Sequence, residues 1–187
     1  AISLVKTYDG AAAEIESILI RMRELAVQSK NGTYETADRT NANFEYTALK
    51  NEITRIAGVS AFNRMTVGQG SSGAAGGTGV ADTTFTFYVG SDVAKTGNSI
   101  AFAAKALDLN LAVSSGTLNS VVDTASAGQA IATLDDAITE LAANRAQAGA
   151  LINRLEHTVS NLMNVSQRLQ EAVSGIEDAD YAAESAN

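Results

Sequence analysis

The chain has 187 residues, enough for one domain with its own core, and its net charge of −8 argues against nucleic acid or a basic membrane anchor as a partner. Cysteine and tryptophan are absent and aromatic residues make up 5%, which excludes a disulfide framework, a thiolate nucleophile or metal site, and a large aromatic stacking platform. Proline is also absent, so the main internal helix breaker is missing, and no segment approaches the roughly 20 apolar residues of a membrane-spanning helix.

In chain order, residues 1–30 read as a first helix. Steps of three and four select Leu4, Tyr8, Ala11, Ile15, Ile18, Met22 and Leu25, a stripe suited to burial against other helices. Asn31-Gly32 supplies the left-handed residue that commonly ends a helix. Thr36 is a candidate N-cap, with Asp38 in the first turn, for a second helix running to about Ala57. Its expected inner face carries Ala42, Tyr46, Leu49, Ile53 and Ile56. The connection is short enough to make the two helices antiparallel neighbours.

Residues 68–79 collapse into small and polar types that have little to bury, which predicts a loop or flexible join. Gly68, Gly70 and Gly73 formally match the spacing of a dinucleotide-binding turn. No strand-turn-helix context surrounds them, so the linker reading stands. Residues 84–89, rich in β-branched and aromatic types, predict a strand that pairs with 99–103 across the turn at 92–98. Residues 107–111 alternate and suggest a further short strand.

A long third helix is expected from Ser126, whose hydroxyl and the Gln129 side chain have capping-box spacing. Its heptad seam is Ile131, Leu134, Ile138, Leu141, Arg145, Ala148, Ile152, Leu155, Val159, Leu162, Ser166, Leu169, Val173 and Ile176. The fold class is therefore mainly α: an elongated antiparallel long-helix bundle, coiled-coil-like, with a small β-hairpin insertion. Residues 1–67 and 126–187 form its two halves and 68–125 a variable middle. His157, the only histidine, reads as a solvated helix residue. Glu177, Asp178 and Asp180 lack the ligand spacing and glycine of a calcium loop.

Residues 21–28, RMRELAVQ, place charge around Leu25, Ala26 and Val27, so apolar side chains fall on more than one helix face. Val27 is expected to face outward, which makes the segment a candidate partner surface. This segment, with NEITRI at 51–56, AFN at 61–63, AIATLDDAI at 130–138, QAGALINRLEHTVSNL at 147–162 and IEDADYA at 176–182, resembles bacterial flagellin, the filament subunit of the flagellum.

The resemblance implies a secreted, extracellular, non-enzymatic structural subunit with no cofactor or metal, which polymerises with other flagellin subunits for motility. It implies that residues 21–28, with Arg21, Arg23, Glu24, Leu25 and Gln28, together with Glu45, provide subunit contacts. It also implies recognition by a flagellin-sensing Toll-like receptor of animals, through Arg21, Leu25 and Glu45. A stripe through Ile15, Leu19, Met22 and Ala26 would leave Leu25 free for that role, and this phase is the one expected near the helix end. The resemblance further suggests a core fragment lacking both terminal polymerisation helices, monomeric by itself. The alternative is a surface-displayed protein binding a glycan or receptor on the same scaffold, for which Phe85, Phe87 and Tyr88 are the main aromatic resources.

Overall fold

The computed structural model describes residues 1–63, 65–66, 83–90, 97–105, 107 and 120–185, with side chains described as far as 176 in the last helix. Three helices dominate: α1 (Ile2–Lys30), α2 (Thr36–Val59) and α3 (Thr124–Ser185). Two antiparallel hairpins lie between α2 and α3 in sequence. One pairs β1 (Ala61–Phe62) with β2 (Met65–Thr66), and the other pairs β3 (Thr83–Tyr88) with β4 (Ser99–Ala104). The helices pack antiparallel, as the heptad patterns predict. No helix among the described residues is long and apolar enough to cross a membrane.

The helix ends differ from expectation in three places, and at two of them another side chain does the capping. Asn31 leaves α1 with extended dihedrals (φ −65°, ψ 129°) rather than a left-handed turn. The exposed carbonyls are instead met from α2, where Arg39 donates through Nε to the Ser29 carbonyl at 2.9 Å and through a terminal nitrogen to the Asn31 carbonyl at 3.1 Å. Thr36 is the first helical residue of α2, and Glu35 is its N-cap without a side-chain cap bond. The cap of α3 is Asp123, not Ser126. Its carboxylate accepts from the Ser126 backbone N–H and from the Ser126 hydroxyl, both at 2.8 Å, and these bonds, the backbone one first, hold the Asp123 carboxyl below its ordinary range.

In α1 the buried residues are Leu4, Val5, Tyr8, Ala12, Ile15, Leu19, Met22, Leu25, Ala26 and Ser29. The central line runs through Tyr8, Ala12, Ile15, Leu19, Met22 and Ala26, the second of the two phases. Leu25 is nevertheless only 3% exposed, because α1 packs against both α2 and α3 and so buries more than one narrow stripe. On α2, Tyr46 and Ile53 are buried and Ala42, Leu49 and Ile56 pack partly buried against the same core.

The α3 seam is shifted on one of its two rows. Leu134, Leu141, Ala148 and Leu155 are buried as expected. The other inner row is Ala130, Ala137, Asn144 and Leu151, while Ala127 extends the Leu134 row and Ile131, Ile138 and Ile152 flank half-buried. Small residues on the inner row let two helix backbones approach closely, and the larger isoleucines cover the edges. From Val159 to the last described side chain at Ile176 the helix is exposed throughout, so this part of the seam has no partner within the described chain.

The β3–β4 hairpin matches the expected pairing, with Phe85 opposite Phe102 and Tyr88 opposite Ser99. Ile100, Phe102 and Ala104 alternate inward, and Gly97 takes the left-handed φ of +105° beside the connection. Tyr8 of α1 holds this sheet to the bundle. Its ring meets Phe102 edge-on at 5.4 Å and its hydroxyl donates to the Lys105 carbonyl at 3.0 Å. The expected linker at 68–79, with its glycine-rich motif, lies outside the described residues, as do 108–111 of the third suggested strand and the side chains of Glu177, Asp178 and Asp180. Leu107 is described, and it is fully buried.

Candidate functional site

The outward faces of α1 and α2 bring part of the expected partner surface together. Arg21 donates through Nε to Glu45 Oε1 at 2.8 Å across the two helices and through a terminal nitrogen to Glu24 Oε2 at 3.1 Å within α1. The hydrogen bond to Glu45, then that to Glu24, raises the guanidinium's affinity for its proton. All three side chains are about half exposed, which makes this ion-pair cluster a fixed surface feature rather than a strong source of stability.

The other expected residues go elsewhere. Arg23 turns toward α3 and donates to Asp135 Oδ1 at 2.5 Å. Gln28 donates to the Tyr34 hydroxyl at 3.0 Å at the end of α1. Leu25 is buried in the core, which corrects its assignment to an outward face. Val27 is 48% exposed, as the sequence suggested.

Apolar side chains missing from that reading border the cluster in sequence and complete its character. Phe44, next to Glu45, is 70% exposed, and Ile20, next to Arg21, is 47% exposed. Phe44 lies off the Ala42, Tyr46, Leu49, Ile53, Ile56 stripe, and that displacement was a readable sign that it faces away from the core. Charge flanked by exposed apolar residues is chemistry for reversible protein contact.

A second charged cluster bridges α1 and α3 at the edge of their packed faces. Arg145 donates to Asp9 Oδ1 at 3.1 Å and also to Glu16, clasping two successive parts of α1 from α3. Hydrogen bonds to Glu16 and Asp9, in that order, raise the Arg145 pKa. Together with Arg23–Asp135 they set the antiparallel register of α1 on α3. This explains why an arginine interrupts the apolar heptad. His157 is exposed on α3.

Comparison with known proteins accounts for both halves of the bundle. Residues 1–72 match the bacterial flagellin N-terminal helical region and residues 131–187 the bacterial flagellin C-terminal helical region. The chain is 37% identical over 185 residues to flagellin from Halalkalibacterium halodurans, covering 98% of this chain and 62% of that protein. It is 34% identical over 186 residues to the flagellar filament 30.7 kDa core protein of Treponema maltophilum, covering 98% of this chain and 64% of that protein. The chain thus spans somewhat under two thirds of the length of these curated relatives.

The crystal structure of Bacillus cereus flagellin superposes with a TM-score of 0.68 at 34% identity, covering 86% of this chain and 84% of that one. The expectation of a core fragment without the terminal helical regions is overturned by the matched ranges: the family's N-terminal helical region lies at 1–72 and its C-terminal one at 131–187, inside the chain. The C-terminal match begins within α3 and follows it to its end. With matching helical regions at both ends, folded together as in the Bacillus cereus protein, the chain belongs to the bacterial flagellin family.

Proposed function

We propose that the chain acts as a structural, non-catalytic subunit of the extracellular bacterial flagellar filament and polymerises with other flagellin subunits. The observation that carries this reading is the assembly of the two matched flagellin regions, distant in sequence, into one antiparallel bundle. A lattice of rods held by many modest contacts is stable although each contact is weak. The cluster of Arg21, Glu24 and Glu45, bordered by Ile20, Val27 and Phe44, has the chemistry for such contacts.

Antibodies raised against the chain and viewed by immunogold electron microscopy should decorate the filaments of the source bacterium along their length. Label confined to the cell surface would favour the alternative of a displayed binding protein.

The same cluster supports a second reading, recognition by a flagellin-sensing Toll-like receptor. Arg21 and Glu45 stand paired at 2.7 Å, with their side chains about half exposed. Leu25 enters only by supporting the helix from inside. Arg21→Ala and Glu45→Ala should each weaken receptor binding by roughly 1 kcal/mol or more if they are interface anchors. Surface plasmon resonance giving unchanged affinity for both variants would reject this reading.

A further inference from the structure

The connection from α1 to α2 begins with Asn31-Gly32, the pair whose sequence points to a left-handed helix end. The fold gives it no such task. Asn31 is extended, the φ of Gly32 lies outside the left-handed region, and a Cβ added at Gly32 would meet nothing within 4 Å. What the pair does hold is an arranged side chain. Asn31 Oδ1 accepts from the Thr33 N–H at 3.2 Å, which folds the carboxamide over the Gly32 peptide and draws electron density from Cγ. An electron-poor carbonyl carbon beside the backbone nitrogen of a glycine, where no side chain obstructs approach, is a site for ring closure.

We propose that Asn31 is a site of self-modification, passing through a cyclic imide to aspartate and isoaspartate, and that Arg39 is its brake. The Gly32 backbone nitrogen bonds to Asn31 Cγ while the Cγ–Nδ2 bond breaks, and the proton of the Gly32 N–H leaves with Nδ2 as ammonia. Water then opens the five-membered ring. Opening at the side-chain carbonyl gives aspartate. Opening at the main-chain carbonyl gives isoaspartate, in which the chain runs through the former side chain and gains one methylene group between α1 and α2.

Closure requires the Asn31-Gly32 peptide to rotate from its ψ of 129° toward the side chain. That rotation carries the Asn31 carbonyl away from two donors, Arg39 at 3.1 Å and the Tyr34 N–H at 3.3 Å. Arg39 does not follow, because its Nε is held by the Ser29 carbonyl in the last turn of α1 at 2.9 Å. In the isoaspartyl product the same Asn31 carbonyl becomes a carboxylate. The guanidinium that delays the reaction is therefore placed to neutralise its product, at a helix end where negative charge is otherwise unfavourable. Asp9-Gly10, the other pair able to form such a ring, provides an internal contrast. It lies inside α1, where helical hydrogen bonds fix the backbone, and Asp9 Oδ1 accepts from Arg145 Nε at 3.1 Å.

The test is incubation of the folded chain over weeks in mildly alkaline buffer, followed by tryptic peptide mass spectrometry and enzymatic methylation of isoaspartate. Cleavage after Lys30 and Arg39 releases residues 31–39, in which Asn31 is the only amide side chain. This peptide should gain about one mass unit and take up the methyl label, while the peptide carrying Asp9 stays unlabelled. Gly32→Ala should slow the gain by roughly tenfold or more, equivalent to about 1.4 kcal/mol in barrier, with circular dichroism unchanged. Arg39→Ala should speed it severalfold, with fragment ions placing the gain at residue 31. Tyr34→Phe loses the bond from Gln28 in the same connection but leaves the Asn31 carbonyl held, and it should keep the parent rate. No mass gain at 31–39, a gain indifferent to Gly32→Ala, or equal labelling at Asp9 overturns the site. Arg39→Ala at the parent rate, or Tyr34→Phe as fast as Arg39→Ala, overturns the brake.

Discussion

Asp123 stands where the chain turns into its longest helix, and its carboxylate accepts from both the backbone and the side chain of Ser126. Its folded-state pKa is lowered relative to the unfolded chain, so its contribution is fully present above the ordinary aspartate range and is lost as pH falls through the folded-state value. Asp123→Ala should lower the melting temperature at neutral pH, and the difference from the parent should shrink on acidification. A melting deficit independent of pH would show that the cap does not act through its charge. Leu25, at 3% exposure, belongs to stability instead of recognition. Leu25→Ala should cost about 2–4 kcal/mol in denaturant unfolding, whereas truncating the 61% exposed Leu169 in dilute protein should cost less than about 0.5 kcal/mol. Equal costs would contradict the burial assigned to these two leucines.

The paired helices show which parts of the fold were legible in sequence. Leu134, Leu141, Ala148 and Leu155 announced one row of the α3 seam because heptad spacing and hydrophobicity agreed. The second row is less legible because Ala130 and Ala137 are less hydrophobic than their neighbours Ile131 and Ile138, and Asn144 is polar, yet close helix packing favours small side chains on the inner line. The end of α1 is illegible for a related reason, since Arg39 reaches it from another helix and local sequence carries no sign of it. At the candidate site, charge and apolar residues on several faces single out the segment in sequence, but only tertiary packing separates Arg21 and Glu45 from Leu25. Asn144 is an informative case: it is 5% exposed, and its Nδ2 has no hydrogen-bond partner among the described residues. Asn144→Leu should raise the melting temperature by removing an unsatisfied buried donor. If the asparagine also fixes helix register, as single buried polar residues do in coiled coils, the variant should show a broader transition than the parent. A lowered melting temperature would indicate that Asn144 is satisfied in solution.

The described helices form a rod of unequal parts. Between Gly128 and Leu155, α3 lies against α1, and α1 in turn against α2; past Val159, the described part of α3 stands clear of them. Hydrogen exchange in dilute protein should therefore divide α3 sharply. Amides of 127–155 should be protected up to the global unfolding free energy, and those of 159–176 should exchange like an isolated helix. Uniform protection along α3 in dilute monomer would contradict this division. Arg145, which holds α1 at both Asp9 and Glu16, sits well inside the protected part. Arg145→Ala should cost about 1–2 kcal/mol at low salt and less at high salt, because the cluster is partly solvated and screened.

Tyr8 gives one side chain two attachments: its ring lies on the buried line of α1 and meets Phe102, and its hydroxyl holds the Lys105 carbonyl. A pull on β4 would therefore be handed straight to the first turns of α1, and fraying of those turns would loosen the hairpin with them.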